Sequence, residues 1–415
     1  MASRSAAVSP ARTAAFDVLL RVFEDDAYAD RALRTAGASL DERDRALAQR
    51  LSYGAVQRIR TLDHAIEALG RRRVARLDAP VRAALRLGAY QLAFVDGVAR
   101  YAAVNESVEL VRRAGLERAV AFTNAVLRRL ADGIRELVDS LPDTTPTGAG
   151  LRHSYPDWIA ETWWNELGAD AALLLMEALN EPAPTVVRLV RGEIEGTPDR
   201  AVPGAWRVAR IDEAALAEGR IWPQSAASQL VGLVVGAQDG ERTLDLCAAP
   251  GGKATMLAGD VTAVEVNEAR ARELEQNARR LGAANVRIVH ADGRALPGDL
   301  DGFDRGLVDA PCSGLGVLNR RPDLRWRAMP LPELQLELLR AAGARIRPGG
   351  TLVYSVCTIN AEESEDVVDA SGLEVDGTLS AEWPQFRHPR RSEFLQTLPH
   401  VHGTAGFFVA RLIVR

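Results

Sequence analysis

From Arg242 onward the chain repeats one arrangement, a short apolar run followed by a polar stretch with helical spacing. The runs are TLDLCAA, VTAVEVN, VRIVHAD, FDRGLVDA and TLVYSVCT, and stretches such as EARARELEQNARRLGA and LPELQLELLRAAGARI separate several of them. Short buried strands alternating with helices form βαβ units, which build a parallel sheet covered by helices. In such sheets ligands bind beyond the C-terminal ends of the strands. The residues that close each run are therefore where chemistry is expected.

The first run leads into DLCAAPGGKA, Asp245–Ala254. Gly251 and Gly252 let the backbone approach a ligand closely, and N–H groups at a helix start can face an anionic group. The order is not G-x-G-x-x-G, so the dinucleotide fingerprint is absent. Glu265 closes the second run, where a carboxylate accepts hydrogen bonds from two ribose hydroxyls. Asp292 closes the third, where it could contact an adenine edge. The fourth ends in VDAPCSG, with Asp309 and Cys312, and the fifth brings Cys357. One acid at a strand end is usually a surface residue. The succession in this order predicts a nucleoside-bearing cofactor without a long phosphate tail, which S-adenosylmethionine fits better than NAD. Lys253, the only lysine in the chain, then sits at the turn over the methionine part. The remaining basic residues are arginine, as GC-rich coding favours.

Upstream the periodicity changes. Residues 10–135 read as helices only: VLLRVF, RALAQRLSYGAVQRIRTLDHAIEAL, VRAALRLGAYQLAFV and VNESVELVRRAG carry apolar residues at three- and four-residue spacing. Asp41-Glu42 and Asn105-Glu106 suit helix starts. SLPDTTPTGAG (Ser140–Gly150) reads as a linker. Residues 151–238 are mixed, with PDWIAETWWNELG helical, TVVRLV and AWRVARI as strands, and SAASQLVGLVVG helical again. The expected domains are thus 1–140, all-helical; 141–238, a linker and small α/β connector; and 239–415, the α/β sheet domain. Residues 1–140 hold 23 Arg against 18 acidic residues while the chain carries −5, so the rest is acidic. RRRVAR, Arg71–Arg76, is the densest basic cluster. It is either a solvated face or a nucleic-acid contact, since such footprints are local.

No run is long and apolar enough for a membrane span, and the N-terminus lacks a charged segment followed by an apolar core. A cytoplasmic protein is expected, in which disulfides rarely persist. The three cysteines, Cys247, Cys312 and Cys357, all fall at strand ends of the last domain. No C-x-x-C and no histidine at ligand spacing accompanies them, so no metal is expected. Cys247, beside Ala248 and Ala249, reads as a small buried hydrophobe. Cys312 and Cys357 remain as reactive thiols. Carbon 5 of cytosine is a poor nucleophile until a thiolate adds to carbon 6 and turns the ring into an enamine. Carbon 5 can then attack a cofactor methyl group, an acid near ring nitrogen 3 stabilises the adduct, and a base removes the carbon 5 proton so the thiol can leave. Asp309 and two thiols at adjacent strand ends supply that inventory.

DLCAAPGGK, DAPCSGLGVLNRRPDLRW and YSVCT resemble the RNA cytosine-5 methyltransferases of the Nop/Sun group, and the whole chain resembles their bacterial RsmB (Fmu, Sun) branch. The resemblance implies an all-α NusB-like RNA-binding domain, a connector, and a Rossmann-type class I methyltransferase domain. It implies S-adenosylmethionine as cofactor and RNA, 16S rRNA first, as substrate; a tRNA target is the alternative. It assigns the nucleophile to Cys357 and product release or proton removal to Cys312, an order that spacing alone leaves open. It carries cofactor contacts to Cys247, Ala248, Ala249, Pro250, Gly251, Gly252, Lys253, Glu265, Arg270, Asp292 and Asp309, with Asp309 also facing the base. The pattern departs at Glu265, where the family has Asp, and at Glu363-Ser364-Glu365, where it has E-N-E. It departs also at Ala405 before Gly406-Phe407-Phe408, and at Pro223-Gln224-Ser225-Ala226. Arg320, Arg321, Arg325 and Trp326 follow the Pro-Cys loop. They read either as phosphate-holding arginines with an indole to stack on a base, or as a solvated loop with one buried aromatic. A monomer is expected. A reading of another class is an RNA-binding antitermination scaffold with an inactive catalytic domain, to which the intact cysteines, Lys253 and acids are opposed.

Overall fold

A computed structural model describes residues 8–415. The first seven residues, which open the expected 1–140 domain and the segment read as lacking a signal peptide, lie outside the described residues. The chain divides into two compact units, residues 1–181 with 318–327, and residues 182–317 with 328–415.

The first unit is helical: α1 (Pro10–Glu24), α2 (Ala29–Ala36), α3 (Glu42–Gln57), α4 (Ile59–Gly70), α5 (Ala79–Phe94), α6 (Arg100–Arg113), α7 (Glu117–Asp139), α8 (Pro146–His153), α9 (Asp157–Leu167) and α10 (Ala169–Ala178). Leu19, Leu51, Leu62, Leu85 and Leu127 pack its core. Gly54 sits inside α3 because a Cβ there would lie 2.0 Å from the Tyr90 ring of α5. Asp41 starts α3 as expected, its side chain accepting from Asp44 N at 2.8 Å. Asn105 does not start a helix: α6 begins five residues earlier, at Arg100. The stretch read as a linker contains the start of α8, where Thr145 accepts from Gly148 N at 3.1 Å and Pro146 takes the first position. Arg71, Arg72, Arg73 and Arg76 of the basic cluster are all exposed.

The second unit opens with a small antiparallel sheet of β1 (Val186–Leu189), β2 (Thr197–Pro198), β3 (Ala205–Arg207) and β4 (Ile221–Pro223), in the order β2-β3-β1-β4, with helix α11 (Glu213–Ala217) before β4. After α12 (Ala226–Val235) come β5 (Arg242–Leu246), β6 (Asp260–Glu265), α13 (Glu268–Leu281), β7 (Val286–His290) and β8 (Phe303–Asp309). The one-turn helix α14 (Leu324–Arg327) belongs to the helical unit. Then follow α15 (Pro332–Gly343), β9 (Ile346–Val356), α16 (Glu365–Ser371), β10 (Glu374–Val375), β11 (Leu395–Thr397) and β12 (Phe407–Ile413). The main sheet runs β10-β12-β9-β8-β5-β6-β7, with β11 on β12. Strands β5 to β9 are the five expected runs, and all pair in parallel. Strand β12 was not read from the sequence; it joins β9 antiparallel. Strand order turns back between β5 and β8, which makes their C-terminal ends the switch point of a doubly wound sheet. No helix among the described residues is long and apolar enough to cross a membrane.

From Arg325 to Arg327 the segment after the Pro-Cys loop fits neither reading given above. Arg325 is fully buried in the helical unit. Its guanidinium donates to Gln57 O at 3.0 Å, Ser154 O at 3.0 Å, Asn180 Oδ1 at 2.9 Å and the Tyr155 hydroxyl at 3.0 Å. Trp326 Nε1 donates to Val56 O at 2.7 Å, and Arg327 to Asp26 O at 3.0 Å and Ala27 O at 3.2 Å. Most of these acceptors stand at or just past the C-terminal ends of α1, α3, α8 and α10. The last carbonyls of a helix lack intrahelical partners and carry its negative dipole end. Arginine and indole N–H groups satisfy them, so they are engaged in packing and not offered to RNA.

Candidate active site

The switch point collects the chemistry-bearing residues of the second unit. β5 runs into Cys247-Ala248-Ala249-Pro250-Gly251-Gly252-Lys253. Cβ atoms on Gly251 and Gly252 would lie 2.5 Å from Leu274 Cδ1 and 2.8 Å from Trp222 Nε1, so the turn packs tighter than a side chain allows. Helix α13 holds it through Arg270, which donates to Ala249 O at 2.8 Å, and Asn277, which donates to Pro250 O at 2.9 Å. Glu265 ends β6 and is 2% exposed. Its Oε1 accepts from Asn267 N at 2.9 Å, while buried Oε2 has no hydrogen-bond partner and lies 3.8 Å from Arg270. An unsatisfied buried acceptor costs about 1–3 kcal/mol. A hydroxyl-bearing ligand would relieve it, which is the fit expected of a ribose. Asp292, beyond β7, is half-exposed, and Arg294 grips both its oxygens at 2.7–3.2 Å. Those hydrogen bonds bring its pKa down to about 2.

At the ends of β8 and β9 stand Asp309 and Ser355. Asp309 accepts from Lys253 Nζ at 2.6 Å and from Ser355 Oγ at 2.8 Å. The Lys253 ammonium also lies 5.2 Å from the centre of the Phe407 ring. Asp245 went unremarked in the sequence. It is buried on β5, and neither oxygen has a hydrogen-bond partner. Burial, reinforced by the charge of Asp309 and opposed by Lys253, pushes its carboxyl well above the usual range. An acid inside the otherwise apolar run TLDLCAA was the available signal.

Beyond β8 and β9 the Cys312 and Cys357 sulfurs lie 3.4 Å apart. Both side chains are partly exposed. Two strand ends reach this distance because a ring of polar groups joins the residues beside them. Glu363, fully buried, accepts at Oε1 from Ser313 N at 3.0 Å, Leu331 N at 3.0 Å and Gln335 Nε2 at 2.8 Å. Its Oε2 accepts from Ser313 Oγ and from Asn360 Nδ2, the latter at 3.1 Å. Thr358 Oγ1 lies 2.9 Å from Ser313 Oγ and donates to Asn360 Oδ1 at 3.0 Å. The ring therefore runs Glu363, Ser313, Thr358, Asn360 and back, with Ser313 next to Cys312 and Thr358 next to Cys357. The Cys312 thiol is pushed well up, first by its hydrogen bond with Cys357, then by burial and the charges of Cys357 and Glu363. Cys247 is raised to about 12, chiefly by burial, and packs against the apolar core. Glu363 was noted in the sequence only as part of a variant motif, because its partners are scattered from residue 313 to residue 360. Among the described residues, no three His, Cys, Asp or Glu side chains cluster as metal ligands.

The family described as 16S rRNA methyltransferase RsmB/F matches residues 233–413, and the NusB family matches residues 9–132. The probable ribosomal RNA small subunit methyltransferase B of Synechocystis sp. is 33% identical, over 97% of this chain and 99% of its own. The ribosomal RNA small subunit methyltransferase B of Thermus thermophilus is 38% identical, over 86% of this chain and 83% of its own. The crystal structure of PH0851 superposes with a TM-score of 0.78 at 22% identity, covering 99% of this chain and 100% of that one, a likeness of fold.

Proposed function

The chain belongs to the RsmB branch of the Nop/Sun RNA cytosine-5 methyltransferases, and on that footing we propose that it methylates carbon 5 of a cytosine in 16S rRNA through a covalent Cys357 adduct. The observation that carries the reading is the pair of thiols 3.4 Å apart, at strand ends adjoining Asp309 and Lys253. S-adenosylmethionine, when bound, supplies an electrophilic methyl group. Glu265 and the turn from Cys247 to Lys253 would hold it, with Arg270 bracing the turn, and Asp292 and Asp309 standing at the neighbouring strand ends.

Cys357 adds as thiolate to cytosine carbon 6, and the ring's double-bond electrons move toward carbon 5, which gains the methyl group. A proton from solvent must reach ring nitrogen 3 to neutralise the charge that addition places on the ring, and Asp309 would accept the hydrogen bond of that N–H. Release requires that a base take the carbon 5 proton. The freed electron pair restores the ring double bond, and Cys357 departs with the electrons of its bond to carbon 6. Cys312 serves this release step. A target cytosine within a duplex must be flipped out, or already unpaired.

The test incubates the protein with methyl-labelled cofactor and unmodified 16S rRNA. Labelled 5-methylcytosine is expected, and folded protein that makes none overturns the proposal. Cys357→Ala abolishes turnover. Cys312→Ala accumulates a protein–RNA adduct on denaturing gels; full-rate turnover instead removes Cys312 from release. Bisulfite mapping of RNA from cells lacking the protein separates rRNA from tRNA targets.

A further inference from the structure

An arginine stands in the middle of the apolar run TVVRLV. Side chains alternate along a strand, so Arg188 of β1 shares its face with Val186, which packs with the core residues of α12. Arg188 is 6% exposed there. Its Nη2 donates to Thr255 Oγ1 at 2.8 Å, and its Nε has no hydrogen-bond partner. No acid among the described residues pairs with it, and burial alone lowers its pKa, to about 10. It is still a cation at neutral pH. A buried charge without a partner is costly, and beside a cleft it marks a binding site.

Such a cleft is present. A cavity of about 240 Å³ lies against Arg188, walled by Pro203 and Gly204 before β3, Gln229 of α12, and Thr255 and Met256 after the Lys253 turn. Gln229 is also unsatisfied. Its Nε2 donates to Gln224 O at 3.0 Å, which fixes the orientation of the amide, and its Oε1 has no donor. Gly204 leaves the space before that oxygen open, since a Cβ there would stand 4.0 Å from it. The cavity thus lacks an anion at one wall and a hydrogen-bond donor at another. It is smaller than the roughly 300–1,000 Å³ of a site that encloses a whole small molecule, so it suits one portion of a longer ligand. Resting on the proposed function, we infer that this cavity is a subsite for the backbone of the substrate RNA, in which one phosphate accepts from Arg188 and a neighbouring ribose 2′-hydroxyl donates to Gln229 Oε1. An RNA chain carries both groups side by side at every step, and DNA carries only the phosphate.

Fluorescence anisotropy of a labelled single-stranded RNA, with the full-length, cofactor-free protein at a series of KCl concentrations, tests the subsite. Arg188→Met removes the charge at similar length. Affinity is expected to fall about tenfold at low salt, as for the loss of a charge-assisted hydrogen bond. The slope of log K against log salt is expected to shrink by about 0.7, the value for one phosphate on a single strand. An unchanged slope overturns the inference. Where Arg188→Met fails to fold, Arg188→Gln, uncharged but still able to donate, takes its place. The matched DNA is expected to bind the parent more weakly, and Gln229→Met to close that gap; a gap left whole overturns the inference too. Two further arms identify the anion. Cofactor affinity lost in Arg188→Met with RNA binding intact would give the cavity to the carboxylate of S-adenosylmethionine. Inorganic phosphate that raises the melting temperature of the parent and not of the variant, with equal RNA binding, would give it to the free ion. Either result overturns the assignment to RNA. The binding assay needs neither cofactor nor thiols. A protein that holds RNA through Arg188 and makes no 5-methylcytosine therefore loses the proposed function and keeps this inference. One that methylates rRNA with the slope unchanged loses this inference alone.

Discussion

Glu363 and Arg325 are mirror images in different units. Each is a fully buried polar side chain surrounded by neutral hydrogen-bonding groups. Glu363 meets the N-terminal end of α15 through Leu331 N and Gln335, where free N–H groups need an acceptor. Arg325 meets the C-terminal ends of α3 and α8 through Gln57 O and Ser154 O, where free carbonyls favour a cation. The difference lies in what each ties together. Glu363 binds residues flanking two reactive sulfurs, so its loss is expected to show in chemistry. Arg325 binds helix ends that carry no reactive group, so its loss is expected to show in stability. Arg325→Ala leaves those carbonyls and the Tyr155 hydroxyl without a donor and opens a cavity. The expected cost is about 3–5 kcal/mol, from several buried acceptors left unsatisfied at about 1–3 kcal/mol each, partly relieved by relaxation. A denaturant titration that finds less than about 1 kcal/mol would show the helix ends satisfied without it.

A second pressure on the same corner comes from His153, whose carbonyl lies 3.5 Å from the Arg325 guanidinium. Its ring is buried, its Nε2 has no hydrogen-bond partner, and its pKa is lowered to about 4 by burial and then by the charges of Arg58, Arg152 and Arg325. The folded state thus holds a neutral imidazole where the unfolded chain protonates near pH 6.5. The contribution is nil above pH 6.5. Stability falls as pH drops from 6.5 toward 4, by at most about 3 kcal/mol, because below 6.5 the unfolded state binds a proton the folded state refuses. Urea midpoints at pH 7 and pH 5 for the parent and His153→Gln isolate the effect. The parent is expected to lose about 2 kcal/mol more between those values than the variant; equal losses would mean the ring is already solvated.

The two corners were not equally legible. The sheet was readable because its five parallel strands are local apolar runs, and because doubly wound topology places their C-terminal ends together. Asp309, Lys253, Cys312 and Cys357 could be grouped on that ground alone. Strand β12 went unread because it pairs with β9 antiparallel and so falls outside the strand–helix repeat that marks the parallel strands. Glu363 and Asp245 escaped for a physical reason: what marks them is burial and the identity of their neighbours, and neither is written in spacing. Arg325 and Trp326 escaped for the same reason in stronger form. Their acceptors stand 145 to 270 positions away in sequence, and a helix's orphaned carbonyls leave no residue-type signature. An arginine-rich loop beside Cys312 therefore looked like an RNA contact, when Arg325, Trp326 and Arg327 complete the packing of helices.

Trp326 gives the finest comparison, because its indole can lose a hydrogen bond and keep most of its ring. It packs against the helical core and donates Nε1–H to Val56 O, in the last turn of α3. Trp326→Phe keeps an aromatic ring there and leaves that carbonyl without its donor. The carbonyl lies one residue before Gln57, which Arg325 still holds, so α3 does not unwind. The expected loss is about 1 kcal/mol, the net worth of one hydrogen bond plus a small change in packing, well below that for Arg325→Ala. If the double variant loses more than the sum of the two singles, by 0.5 kcal/mol or beyond on the order of typical neighbour coupling, then the arginine and the tryptophan act as one cap on α3. If the losses add, the segment is a row of independent caps, and each helix end is held on its own.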